Sequence, residues 1–343
     1  MVKIVCPNCA ADLDVPPAPI HTCEYCGTAI QVSQMVGPEG ENITGEELTE
    51  EAKETYILKE HYQITCEYNH KQAQLLMEDW ITKIPGAPQD FENTAVITHN
   101  ELKFYPIWVG EYKVSSSYVG IDNWPNFGRP AHDKPGWYEH VSYYKREETG
   151  DIHREYQIPL LALSEKGVPK YLRNYSITTT GKEYFDIQHV KELSGEIIDS
   201  IFTVDEAKQR MQQAVLARQT NEMHKEVVHI KQRGDDMDER GVFYIHFPVY
   251  EMKFTYGNKE YEAFIDGSTG RVIHIDVPIS TKFRLITLSL GAGHAAAGTG
   301  LLIAGLNLAS MTFLGISAGI GLIATGIAFI VLNFRRGAQE KQR

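Results

Sequence analysis

Recognisable catalytic motifs are missing from this chain of 343 residues. No Gly-x4-Gly-Lys-Ser/Thr loop occurs, because Gly181-Lys182 is followed by Glu183 and has no upstream glycine, so a phosphate-loop nucleotidase is excluded. A GxSxG elbow, an HExxH helix and a dinucleotide glycine fingerprint are absent too, and the chain reads as no enzyme. Lys3 is the only Lys or Arg among the first thirty residues, which argues against a nucleic-acid reader at that end. Charge of either sign disappears from Leu285 to Phe334, fifty residues that are too long for one apolar helix and long enough for two. Cysteine is scarce: the chain has five, and four of them fall in the first 26 positions.

Those four, Cys6, Cys9, Cys23 and Cys26, are spaced Cys-x2-Cys-x13-Cys-x2-Cys, the spacing of a zinc ribbon. Thiolates two residues apart bite one metal from a tight turn, and two such turns close a tetrahedral site with no open position. The zinc expected here is one ion, structural rather than catalytic. Cys6-Pro7-Asn8-Cys9 and Cys23-Glu24-Tyr25-Cys26-Gly27 both read as knuckle turns, the second with its glycine in place. Two disulfides or a redox pair are the alternatives, but no oxidising-compartment signal precedes the motif and no thioredoxin-like unit surrounds it. Cys66 lies in a helical pattern and reads as a core thiol.

From Lys282 onward six Lys or Arg stand against Glu340 alone, which leaves residues 1–281 with 27 basic and 44 acidic side chains, a formal −17. Such a surface repels phosphate backbones. The uncharged run divides at Asn307–Ser310 into two expected spans, about 286–306 and 311–333, joined by a very short turn. Gly315-x3-Gly319, with Gly298, Gly300 and Gly305, suits a close helix–helix seam. Lys282 and Arg284 flank the pair on one side and Arg335, Arg336, Lys341 and Arg343 on the other, so both termini are expected in the cytoplasm. Met1–Val5 runs straight into the first cysteine without room for a signal sequence, which agrees. His294, inside the first span, is a functional candidate by its depth, though a neutral imidazole bonded to the adjacent helix is the default reading.

The expected fold is multi-domain α+β: a zinc ribbon over 1–36, a linker over 37–45, a first α+β unit over 46–200, a second over 201–281, and a transmembrane hairpin with a basic tail over 282–343. Thr44 and Glu47 offer a capping box for a helix reaching about Lys83; Thr203 and Glu206 offer another for a helix reaching about Arg233, followed by a loop over Gly234–Gly241. Strands are expected at 94–98, 102–114, 138–144 and 154–163, with a Pro- and Gly-rich break at Asn123–Gly136. A meander closes the region through the Gly257-Asn258 and Asp266–Gly270 turns. Tyr105-Pro106-Ile107-Trp108 aligns with Phe247-Pro248-Val249-Tyr250, and Tyr112 with Phe254, which suggests two related units, each a helix plus an antiparallel sheet.

Other groups read blandly. Asp235, Asp236, Asp238 and Glu239 lack the alternation of a calcium loop and read as a solvated helix end. His224 and His229 are five apart and share no metal-binding face. Trp108, Trp124, Trp137 and Tyr138 would make a ligand platform if they met, but packing is the stronger expectation.

The ribbon Cys6–Gly27, the strand Tyr105–Trp108, the helix start Phe202–Ala207 and the meander Phe247–Val272 together resemble bacterial membrane-anchored zinc-ribbon proteins of the YdjG type, often labelled primosomal helicase or TFIIB-type zinc-ribbon proteins. The helicase label does not fit a chain without nucleotide-binding motifs. The resemblance implies a scaffold at the cytoplasmic membrane face that recruits protein partners, among them envelope-stress proteins resembling phage shock protein A. The last helix and meander also look a little like a PepSY module, whose members bind or inhibit proteins. The alternative expectation is a membrane-tethered nucleic-acid-binding ribbon.

Overall fold

The computed structural model describes residues 2–16, 18–32, 55–127, 141–164, 169–307 and 312–339. The expected linker 37–45, the Thr44–Glu47 box, Trp137 and Tyr138 lie outside them. In chain order the strands are β1 (Val2–Val5), β2 (Asp12–Val15), β3 (Ile20–Thr22), β4 (Ala29–Val32), β5 (Thr55–Ile57), β6 (His61–Ile64), β7 (Val96–Phe127), β8 (Val141–Leu161), β9 (Lys182–Tyr184), β10 (Glu196–Ile197), β11 (His229–Tyr256), β12 (Lys259–Asp266) and β13 (Val272–Ile275). The helices are α1 (His70–Thr82), α2 (Phe91–Thr94), α3 (Ile187–Glu192), α4 (Val204–Met223), α5 (Thr281–Asn307) and α6 (Thr312–Gln339). The chain falls into two compact units. One comprises Met1–Ala73, Asn100–Glu251 and Phe264–His274; the other comprises Gln74–His99, Met252–Ala263 and Ile275–Arg343.

The first unit is mixed α+β. Strands β10, β7, β11, β12 and β13 lie side by side in that order, with β8 paired to β7 and β6 to β11. The period of two along the central strands divides their side chains between two cores. Trp108, Tyr112, Val114 and Tyr244 meet Ala207, Met211 and Val215 of α4 on one face. On the other, Tyr105, Ile107, Val109, Ile245, Phe247 and Val249 gather with Ile64, Leu172 and Phe264. Both faces are covered, so Phe104–Gly110 and Tyr244–Tyr250 are buried without a break, which is why those stretches read as continuous apolar runs rather than alternating ones. Pro106 and Pro248 each sit inside such a run. Each accepts at its carbonyl from the residue just past the next strand, Pro106 from Ala162 N and Pro248 from Gly267 N. Two short pairings are parallel, Glu196–Ile197 with Lys103–Phe104 and Tyr244–His246 with His61–Gln63, where the sequence suggested antiparallel sheets throughout.

Two expected helices are shorter than the sequence suggested. Residues 55–57 and 61–64 are strands, and α1 begins only at His70, capped reciprocally by Asn69 and Gln72: each backbone N–H donates to the other's side chain at 2.9 Å. Tyr56, Ile57, Tyr62 and Ile64 matched a helical spacing by chance. At α4 the Thr203–Glu206 box forms in full, but the helix stops at Met223. Residues 229–241, expected as helix end and loop, continue as strand because they pair along β7: Val228 N donates to the Ile121 carbonyl just before the strand begins. β7 also runs into the start of the expected break, as far as Phe127, and pairs with β8 continuously from Ile107↔Leu161 to Phe127↔Val141; the rest of that break, 128–136, lies outside the described residues.

In the second unit Met77 and Ile81 of α1 are fully buried, and Phe91 packs edge-on to Phe254, which stacks on Tyr261. Gly257 and Asn258 both take positive φ, the backbone a two-residue turn between β11 and β12 requires. Helices α5 and α6 are long and apolar enough to cross a bilayer. They touch along glycines: a Cβ at Gly291, Gly298 or Gly305 would fall within 2.8 Å of α6 atoms, and one at Gly315, Gly319 or Gly326 within 2.7 Å of α5 backbone. Gly300 faces open space instead and does not belong to the seam. Nδ1 of His294 bonds the Leu290 carbonyl of its own helix at 2.8 Å, not the adjacent helix, and its ring lies 5.9 Å from that of Phe329.

Candidate metal centre

Both halves of the site are knuckles closed by backbone hydrogen bonds. Ala10 N donates to the Cys6 carbonyl and Gly27 N to the Cys23 carbonyl; Cys6 N and Cys23 N donate in turn to Ala11 and Thr28. Such reversals need a left-handed residue after the second cysteine, and Ala10 (φ 58°) and Gly27 (φ 74°) supply it. At Gly27 a side chain would also meet Ile187 and Phe185.

The knuckles bring all four sulfurs within 4.8 Å of one another. Cys6 Sγ lies 3.7 Å from Cys26 Sγ, and Cys9 Sγ lies 3.7 Å from Cys23 Sγ. A disulfide needs about 2.05 Å, whereas a tetrahedron of thiolates with bonds of about 2.3 Å has edges of about 3.8 Å. The donor set therefore fits one metal ion held by Cys6, Cys9, Cys23 and Cys26. Around it, Asn8 Nδ2 points at Cys26 Sγ (3.6 Å) and donates to Thr28 Oγ1 (2.9 Å), which itself lies 3.3 Å from that sulfur. Burial pushes the Cys23 thiol up to about 12. Burial also raises Cys26, but the Thr28 side chain and backbone and Asn8 outweigh it and bring that thiol down to about 6. Cys6 and Cys23 are buried, and Cys9 is exposed.

The ribbon is not a detached knob. β5 adds a third strand to β3 and β4, with Ile57 opposite Ile30, and Ile20 and Ala29 enter the core that holds Trp108, Met211 and Tyr244. Thr22 donates to Asp199 through its amide (3.0 Å) and its hydroxyl (2.7 Å), and Gln31 Oε1 accepts the Val204 amide at the first turn of α4. Burial pushes the Asp199 carboxyl up to about 6 against the opposing pull of Thr22. His21, 3.9 Å from Asp199, is lowered by burial in the same way, so each group favours its neutral form. Behind the second knuckle, His61 is hydrogen-bonded to the Gly27 backbone and stacks on Phe185, with His246 a further 5.1 Å away. None of these docking residues has a local sequence signal; only their burial together reveals them.

Other sequence candidates disperse. Trp108 is in the core, its Nε1 donating to Ser200 Oγ, and Trp124 stands sixteen positions further along the same strand, about 50 Å at ordinary strand rise, so no platform forms from them. Cys66 is a buried thiol, in an irregular segment rather than a helix, 3.3 Å from the Tyr68 carbonyl, and burial raises it. The acidic cluster lies on β11, where Arg233 pairs with Asp235 and Lys208 with Glu239. His224 caps α4, and His229 opens β11. Among the described residues the four cysteines are the one group placed to hold a metal. No protein-family model, curated protein or solved structure matches the chain.

Proposed function

We propose that this protein is a membrane-anchored adaptor: α5 and α6 fix it in the bilayer, and its α+β part, organised around a zinc ribbon, faces the cytoplasm and recruits protein partners. The observation that carries this reading is the helix pair, two bilayer-length segments joined through a glycine seam and uncharged from Leu285 to Phe334. Cations on both flanks and none in the turn favour cytoplasmic termini. Zinc is the ion we assign to the four thiolates, since soft sulfur ligands at tetrahedral spacing suit it and four protein ligands leave no position for chemistry. The ribbon then supplies rigidity to the body it is docked on. Duplication is part of the proposal: the two expected repeats, 46–200 and 201–281, each place a proline in a buried aromatic strand, its carbonyl accepting from the residue just past the following strand (Ala162 or Gly267), and the first repeat is enlarged by the long β7–β8 extension.

A phage-shock-protein-A-like protein is the partner class the sequence resemblance implies. Affinity capture of the full chain from detergent extracts of envelope-stressed cells tests the adaptor. Enrichment of a specific protein by the wild type, lost when Cys6 and Cys23 are replaced, is the expected result; capture of none overturns the reading.

A further inference from the structure

We propose that loop 84–88, which follows α1, is a second membrane contact, seated in the headgroup layer of the bilayer that holds α5 and α6; this goes beyond the adaptor reading but rests on α5 spanning the membrane. Loop and helix belong to the same compact unit. Ser280 N donates to the Gly86 carbonyl at 2.9 Å, and Ser280 Oγ accepts the Phe283 amide in the first turn of α5. Gly86 has a φ of 94°, and a Cβ on it would fall 2.7 Å from the Phe283 ring, so that ring rests on the bare loop backbone. The helix is held there from its other side as well. Asp276 N donates to the Glu262 carbonyl of β12 at 2.8 Å, so only 277–279 separate a residue bound to β12 from one bound to the loop, and Pro278 among them is buried.

Position along α5 then fixes the depth of the loop. The charge-free run begins at Leu285 and the expected span at residue 286, so a rise of about 1.5 Å per residue puts Phe283 about 4.5 Å outside the hydrocarbon. A headgroup layer is about 5–7 Å deep on each side of the bilayer, and tilting α5 only brings Phe283 closer to the hydrocarbon. Gly86, in contact with that ring, shares its layer. The loop is made for such a place: Ile84-Pro85-Gly86-Ala87-Pro88 has no charged or hydrogen-bonding side chain, and Pro85 is exposed. Two of the five residues are prolines without an amide N–H, and Ile84 N and Ala87 N donate to the carbonyls of Ile81 and Ile84, so little backbone polarity is stranded away from water. Within 79–88 and 280–285, Lys83, Lys282 and Arg284 stand against Asp79 alone, which pairs with Lys83. The next acids outward are engaged, Asp90 by the Tyr256 hydroxyl and Asp276 by the Glu262 amide. Cations at this level suit anionic headgroups. A protein covering the loop would have to displace lipid from around the first turn of α5, so the bilayer is the occupant.

The test uses the full wild-type chain in vesicles of phosphatidylcholine and phosphatidylglycerol, with a fraction of the lipid carrying a photoactivatable diazirine close to the headgroup. After irradiation, lipid adducts are mapped to peptides by mass spectrometry. Adducts on 84–88 as well as on α5 and α6 are the expected result. Adducts on α5 and α6 alone overturn the loop contact and leave the anchor standing, whereas their absence from α5 and α6 overturns both. A second measurement uses Pro85→Trp in vesicles with lipid brominated near the headgroup. The emission that P85W adds to that of the wild type should be quenched by bromine and shielded from aqueous acrylamide. Added emission indifferent to bromine overturns the proposal, as does shielding that appears only after a cytosolic extract is added, which would assign the loop to a protein. Unchanged hydrogen exchange over 74–82 verifies that the variant keeps α1; should it fail to, the adduct map of the wild type decides.

Discussion

Single side chains decide whether the ribbon holds a metal and how it sits on the body. Replacing Cys6, Cys9, Cys23 or Cys26 by Ser removes one of four thiolates from a site with no spare ligand, so bound zinc should fall from about one per chain toward none in the presence of a competing chelator, as measured by elemental analysis. Asp199 makes a prediction in pH. Its folded value of about 6 stands above its ordinary 3.8, so the folded state binds this proton more tightly than the unfolded one. The cost of ionising it in place is absent below about pH 4 and complete above about pH 6, and its contribution to stability falls as pH rises through that window. His246, lowered by burial to about 4, acts in the opposite sense, its stabilisation being lost as pH falls below 6.5. The Asp199 component is therefore read as a difference. The D199N variant, which keeps an oxygen for Thr22, should gain about 1–2 kcal/mol on the wild type between pH 4 and pH 6 in denaturant melts.

At the level of elements, caps and glycines carry the clearest consequences. The Thr203–Glu206 box closes the start of α4, and Thr203→Ala should cost about 1 kcal/mol in a denaturant melt. In the hairpin, apolar side chains gain little from leaving lipid for each other, so close backbone approach supplies the association. Gly298→Ala puts a methyl group 2.7 Å from the Gly319 carbonyl oxygen, whereas the same methyl at Gly300 meets nothing within 4 Å. We expect G298A to weaken α5–α6 packing by about 1–3 kcal/mol, an overpacking cost, and G300A to leave it within about 0.5 kcal/mol, as measured by thermal melts in detergent. Gly300 and Gly298 look equivalent in the sequence; the rotation of α5 against α6 separates them. The same limit explains α1 and β11. Thr203-x2-Glu206 was legible because a helix follows it directly, whereas the true start at Asn69-x2-Gln72 was hidden by upstream residues whose spacing imitated a helix. Residues 229–241, polar and partly acidic, have no strand signal of their own and become strand because β7 is there to pair with.

For the whole molecule, the main consequence is that the cysteine cluster and the body are coupled. Ile20 and Ala29 sit in the core with Trp108 and Met211, Gln31 holds the first turn of α4, and Thr22 is bound to Asp199. Stripping the metal should therefore raise hydrogen exchange beyond residues 2–32, at β5 and at the first turn of α4. Faster exchange confined to the ribbon would show the two to be independent.

By itself the sequence determined the four thiolates, because ligand spacing is local chemistry, and the two apolar helices, because bilayer length and absent charge need no partner to be read. It also marked the α4 cap and the β11–β12 turn, whose signals lie within a few residues. Tertiary structure alone decided that the ribbon is docked rather than projecting, and that the sheet aromatics are core while Trp124, Tyr143 and Tyr144 stand exposed. It also placed the acidic cluster on a strand, and it chose which glycines meet across the hairpin. The physical reason is common to all of these: burial and strand pairing are set by residues far away in the chain, and no local pattern encodes them.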